Sequence, residues 1–268
     1  MPSPPVFGVP TFCMITGASR GLGREIALSL SVHLGEKSLM ALTARSSADL
    51  EDTCKQLSAC APGVAVKIVK GDLSDEVEAG ETIGELFQGV DSSQYQHAML
   101  VHNAGSLGEM SNVRDLSADL QALRKYFALN VTSCIALSSK FLKVFPKRDD
   151  LRRTVVAIST LCAIQPTKSL SLYCSSKAAR DMLMKTMASE DPDVRVLNYA
   201  PGVLKTAMNQ DVVTKAGDAE LRQMMAGLQS TPYLLTPATT CQVLIKVLTQ
   251  DTFESGAHVD YWDVEQST

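Results

Sequence analysis

Short apolar runs alternate with longer amphipathic ones along this chain. Residues 11–16, Thr-Phe-Cys-Met-Ile-Thr, form a continuous apolar run ended by glycine, the pattern of a strand buried on both faces. A helical pattern over 24–34 follows, then strands at 38–43 and 64–69 separated by a helix at 48–60. A helix at 75–88, a strand at 98–101 and a long stretch of helical character at 116–145 come next. A strand at 154–159, a helix at 172–188 and a strand at 194–199 continue the alternation, and a helix at 237–249 leads to a short last strand within 256–260. Strands alternating with helices at this spacing predict right-handed βαβ units around one parallel sheet. The expected class is α/β, doubly wound, in a single domain over 1–268. Residues 207–235 are polar, mixed and methionine-containing. They read either as a mobile segment over a pocket or as two core-packed surface helices.

Composition narrows the picture. The 268 residues are 45% hydrophobic and 20% charged, enough to bury a large core. A formal net charge of −4 argues against nucleic acid or an anionic membrane as partner. No apolar run approaches the roughly 18 residues that span a bilayer, and residues 1–10 lack the regions of a signal peptide. The seven cysteines are odd in number, scattered and without Cys-x-x-Cys. They read as reduced thiols in a cytoplasmic protein, and the four histidines show no metal-ligand spacing, so no metal site is expected.

Candidate chemistry gathers at the ends of the predicted strands. Gly17-Ala-Ser19-Arg20-Gly21-Leu22-Gly23 lies between a strand and a helix. Such a turn can bring backbone N–H groups against a pyrophosphate; an ordinary glycine-rich turn is the alternative. Arg45 lies just past the second strand, where no acid is available for a ribose hydroxyl. With Arg20 it favours a 2′-phosphate and hence NADP, unless both are solvated surface charges. Asp72 and Asn103 also fall at strand ends. Tyr173 and Lys177 are four apart in a predicted helix, so they share a face, and an ammonium there would lower the phenol pKa for acid/base work. Tyr-x-x-x-Lys also arises by chance in helices, Asn130 within a helix is usually a mild cost, and Asp260 alone reads as a surface charge.

Taken together, Thr16-Gly17-x-x-x-Gly21-x-Gly23, Asn103-Ala-Gly105, Asn130, the hydroxyl of Thr160, Tyr173-x-x-x-Lys177 and Pro201-Gly202 resemble the short-chain dehydrogenase/reductase family over nearly the whole chain. The runs 103–108, 161–166, 177–182, 194–202 and 255–260 are similar to its members that reduce side-chain carbonyls of 6-substituted pterins. The resemblance implies a Rossmann-like domain, with 11–110 mainly binding cofactor and 111–268 serving catalysis and substrate. It implies NADP(H) held by Gly17, Ser19, Arg20, Gly21, Leu22, Gly23, Arg45, Asp72, Leu73, Asn103, Tyr173, Lys177, Leu204, Thr206 and Met208. Tyr173 would be the proton donor, Lys177 would lower its pKa, and Asn130 would hold a water connecting Lys177 to solvent. Substrate would meet Thr160, Leu161, Tyr173, Gly202 and Asp260, with Asp260 accepting two adjacent pterin N–H groups. Thr160 stands where the family carries a serine; its hydroxyl can still donate, but its β-branch stiffens the side chain. Strand alternation sends the neighbouring Ser159 to the other face. A homodimer through the helices bearing Asn130 and Tyr173 is also implied. A broader carbonyl or diketone reductase, or a silent NADP-binding scaffold, would share much of this pattern.

Overall fold

The computed structural model describes residues 4–265. The first half lays down β1 (Thr11–Thr16), α1 (Gly21–Ser31), β2 (Leu39–Ala44), α2 (Ser47–Cys60), β3 (Ala65–Lys70), α3 (Glu76–Phe87) and β4 (His97–His102). The second continues with α4 (Leu120–Phe127), α5 (Ser133–Val144), β5 (Arg152–Ile158), α6 (Ser171–Glu190) and β6 (Val194–Ala200). After β7 (Val203–Leu204) come α7 (Ala207–Lys215), α8 (Ala219–Gly227), β8 (Leu234–Leu235), α9 (Pro237–Gln250), β9 (His258–Asp260) and α10 (Tyr261–Glu265). Seven strands form one parallel sheet in the order β3-β2-β1-β4-β5-β6-β9. The order reverses between β1 and β4, which opens a crevice at the carboxyl ends of the strands, where ligands gather in such sheets.

Strand alternation builds two cores. Cys13 and Ile15 of β1 face a cluster that includes Ile26 and Leu30 of α1 and Leu244 and Val247 of α9. Phe12 and Met14 face the opposite cluster, with Leu86 of α3, Phe141 of α5 and Met184 of α6. Burial on both faces is why the strands read as apolar runs rather than as alternation. The helices between them begin on side-chain caps at Ser46 and Asp75.

The structure refines the reading of two stretches, 116–145 and 207–235. The stretch 116–145 is not one regular helix: α4 and α5 are joined by a π-helical turn at Ala128–Thr132, a rare widening that is frequent at functional sites. The segment Leu120–Val144 is, by length and composition, apolar enough to cross a membrane, although no uninterrupted apolar run announces it. Leu137 and Phe141 place its α5 portion against the sheet as a core helix of the domain. Residues 207–235 form two helices with a small core of their own, in which Val212, Ala216 and Leu221 meet Leu107 and Leu170. The two-residue β7–β8 ladder beside them was not legible in the sequence.

Candidate active site

The glycine loop takes its shape from its neighbours. The Gly17 and Ala18 N–H groups donate to Thr43 O at 2.8 and 3.2 Å, tying the loop to β2. Asn103 Nδ2 donates to Thr16 O at 3.0 Å and Gly17 O at 3.1 Å, while Thr16 Oγ1 accepts from the N–H groups of Asn103 and Ala104. The Asn103 amide nitrogen therefore ties the end of β4 to the loop. α1 starts on Arg20 with no side-chain cap and no acid in its first turn, so its amino terminus suits an anion. At Gly21 an added Cβ would meet nothing nearer than Thr206 Cγ2, at 4.0 Å. This cradle between the glycine loop and the 203–206 segment fits a pyrophosphate. Leu204 is buried and Met208 exposed on the same segment, and Thr206 caps α7.

Other residues expected to bind cofactor lie around the crevice. Arg20 and Arg45 are exposed, Leu22 is half-buried and Leu73 is buried. The Ser19 carbonyl accepts Arg24 Nε and Nη2 at 3.0 and 2.6 Å, which fixes the loop from outside. Asp72 Oδ1 accepts from the N–H and hydroxyl of Ser74 at 2.9 and 2.8 Å. Partial burial opposes its charge, but those hydrogen bonds and the Arg45 guanidinium hold its carboxyl below the usual range.

On the other side of the crevice, Tyr173 lies in the first turn of α6 and Lys177 one turn later. Lys177 Nζ is 5.5 Å from the phenol ring centroid and donates to Ile158 O at 2.6 Å. Burial raises the Tyr173 pKa and lowers that of Lys177, because each loses solvent around its charged form. A cation acting in the expected direction is Arg180, which is buried and bonded to His102 O and Ala104 O at 2.5 and 3.0 Å. Thr160 leads into a short 3₁₀ turn, where its Oγ1 accepts from Cys162 N at 3.3 Å. That leaves its hydroxyl proton to donate elsewhere. Leu161 beside it is exposed. Asn130 sits fully buried in the π turn, with Oδ1 accepting from Ser106 N and Nδ2 donating to Tyr126 O, both at 2.9 Å. Both ends of its amide are engaged, so the side chain holds the turn against the 103–108 loop.

A third group lies where β6 and β9 end. Asp260 pairs in register with Ala200, just before Pro201-Gly202, and is buried. Burial raises its pKa, against the Trp262 N–H that donates to Oδ1 at 2.9 Å. Gly202 has φ +75, and a Cβ there would stand 2.9 Å from Leu235 Cδ1 and 3.6 Å from Trp262 Nε1. Trp262 in turn packs at 5.4 Å on Tyr233. Sequence reasoning missed these two aromatics and Arg180. Being the only tryptophan, two residues from Asp260, was the available sign for Trp262.

The model of the short chain dehydrogenase family matches residues 11–217. The chain belongs to that family. It is 40% identical to sepiapterin reductase of Rattus norvegicus over 94% of this chain and 96% of the rat protein. It is 30% identical to benzil reductase ((S)-benzoin forming) of Bacillus subtilis, covering 92% and 96% of the two chains. The crystal structure of the KRED1-Pglu enzyme superposes with a TM-score of 0.76 at 25% identity, over 93% of this chain and 100% of that one. Like its relatives, this short-chain dehydrogenase is an oxidoreductase whose fold serves a nicotinamide cofactor.

Proposed function

We propose that this enzyme is an NADPH-dependent reductase of the side-chain carbonyls of 6-substituted pterins, turning sepiapterin into dihydrobiopterin and 6-pyruvoyl-tetrahydropterin into tetrahydrobiopterin. The observation that carries the substrate class is Asp260, a buried carboxylate beside Gly202 and Trp262 at the end of β9. A pterin edge offers adjacent N–H donors much as a guanidinium does, and a buried carboxylate gains most from such a paired partner. Trp262 and Tyr233 supply an aromatic wall suited to a flat ring. The identity with the rat sepiapterin reductase supports the same reading.

The nicotinamide group, when bound, supplies the hydride; the protein's work is position and charge. Gly17, Gly21 and Gly23 with the uncapped start of α1 would hold the pyrophosphate, and Arg20 and Arg45 would hold the 2′-phosphate of NADP through charge-assisted bonds. Thr160 donates a hydrogen bond to the developing alkoxide and keeps its own proton. Tyr173 delivers the proton to that oxygen, and Lys177 and Arg180 supply positive charge as the phenolate forms. The π turn around Asn130 disturbs the regular backbone ladder, which suits a water placed to return protons to Lys177. A homodimer through α4, α5 and α6 agrees with Ile135 and Met182, exposed there by 47% and 62%. The seven free thiols agree with a cytoplasmic setting.

The relationship to a benzil reductase favours a second reading, a reductase of vicinal diketones. NADPH oxidation with sepiapterin and with a small diketone separates them. Under the pterin reading Asp260→Ala raises the sepiapterin KM about a hundred-fold, the loss of a paired charge-assisted contact, and affects the diketone far less. Wild-type turnover of the diketone alone would establish the second reading.

A further inference from the structure

Behind the cleft lies a buried network that the chemistry above does not use. Ser159 Oγ donates to Asp181 Oδ1 at 2.6 Å, and His258 Nδ1, facing the same carboxylate, donates to Oδ2 at 2.7 Å. Ser159 and Asp181 are 3% and 4% exposed, and His258 Nε2 is buried. Despite its composition this is no hydrolytic triad. Serine and imidazole both bond the carboxylate, and the one histidine nitrogen near Ser159 Oγ, at 3.5 Å, is the nitrogen already given to Asp181.

What the network joins is more informative. Ser159 immediately precedes Thr160 at the end of β5. Asp181 lies four residues after Lys177 and eight after Tyr173 on α6, so all three share one side of that helix. His258 lies two residues before Asp260 on β9, and residues two apart on a strand share a face. β9 has three residues and pairs with β6 alone, at the edge of the sheet. Its ladder and the preceding 255–257 turn tie it to β6, and Tyr261 after it is buried in the core. The bond from His258 to Asp181 ties it to the helix that bears Tyr173, through a charge-assisted contact in a low-dielectric setting.

We propose that Asp181, with His258 and Ser159, is a positioning residue that holds Asp260 at a set distance from Tyr173 and Thr160, and so selects substrates by the span between ring edge and reacting carbonyl. This rests on the reading of Asp260 as the pterin anchor. Sites of this kind need their groups held to within about 0.5 Å, and the His258–Asp181 bond is the tie that sets β9 against the helix bearing Tyr173.

The test is a double-mutant cycle: His258→Ala, Asp260→Ala and the pair, with kcat and KM measured for sepiapterin and KM for NADPH. We expect His258→Ala to raise the sepiapterin KM about ten-fold, the size of one lost charge-assisted bond, with NADPH KM unmoved. In the Asp260→Ala background the same change alters KM by less than about two-fold, because the group it positions is gone. His258→Asn sets an amide nitrogen where Nδ1 stood and restores KM. His258→Gln, whose amide reaches the Nε2 position instead, does not, and this pair decides the matter if the alanine variant fails to fold. Additive losses in the double variant overturn the positioning role. So does an unchanged KM in His258→Ala beside a raised KM in Asp260→Ala, which leaves the anchor standing. An unchanged KM in Asp260→Ala removes the anchor and the strap's purpose together.

Discussion

Gly23→Ala is the substitution whose cost can be worked most directly from the structure. A Cβ at that position would stand 2.2 Å from Gly17 O and 2.4 Å from Asn103 Nδ2. Both atoms are fixed, one in the backbone and the other by bonds of 3.0 and 3.1 Å to Thr16 O and Gly17 O. Restoring ordinary contact of about 3.5 Å means moving loop from helix by more than about 1 Å. The two Asn103 bonds, about 1 kcal/mol each, are lost, and overpacking adds about 1–3 kcal/mol. The sum is about 3–5 kcal/mol, a fall in Tm on the order of 10 °C for a domain of this size. Because the displaced atoms form the cradle, NADPH affinity should fall at least about ten-fold in a fluorescence titration. Gly21→Ala is the control for the stability loss alone. It meets no atom nearer than 4.0 Å, and its left-handed φ of +56 is its cost in stability, about 1–2 kcal/mol. A Gly23→Ala protein with unchanged Tm and unchanged NADPH affinity would refute the account of the loop.

Thr160→Val keeps the shape of the side chain but not its hydroxyl, and should lower kcat by about 10²–10³-fold, the cost of one lost donor to an oxyanion. Thr160→Ser should keep turnover within about three-fold of wild type, and steady-state kinetics on both variants tests the assignment. Arg45→Asp should weaken NADPH by about ten- to a hundred-fold, the loss of a charged hydrogen bond of about 1.5–3 kcal/mol, while NADH gains relative to it. His97 is buried between Val6 O at 2.8 Å and Thr154 Oγ1 at 2.9 Å, and burial pushes its pKa down to about 4. The unfolded chain, with a histidine pKa of about 6.5, therefore takes up the proton first on acidification. The stabilisation is intact above that value and is lost as pH falls toward 4, about 2 kcal/mol between pH 7.5 and pH 5. Urea melts at both pH values should show that loss for wild type and a correspondingly smaller one for His97→Gln; equal losses would contradict it.

The sheet was legible because parallel strands are buried on both faces, so runs such as Phe12 to Ile15 stand out without any need for alternation. α1 begins at Gly21, three residues before its apolar pattern, because its first turn is spent on the loop and carries no core residue before Gly23. Local periodicity cannot show a π turn: Ala128–Thr132 differs from ordinary helix only in hydrogen-bond register. The linear motifs gave the positions of Tyr173, Lys177 and Thr160, yet the environment of the pair came from the folded structure. Burial raises the phenol pKa, and the buried Arg180 reaches the site only because β4 ends against α6. Trp262 and Tyr233 meet across about thirty residues of chain, a contact no spacing rule encodes.

The small core beneath α7 and α8 shares no buried member with the two cores that flank the sheet. Tyr173 and Cys162 pack against it, so these helices roof the reacting residues, joined to the body by this small core, by the bonds from Gly217 N to Met110 O and Asp218 N to Ser169 Oγ, and by the exposed Lys168–Glu220 pair. A unit held by so few apolar contacts opens at a lower free energy than the body it covers. Amide protons of α7 and α8 should therefore exchange with solvent by local opening, well ahead of those in β1 and β4. Entry and exit at the active site can then proceed at the rate of that opening while the sheet stays folded.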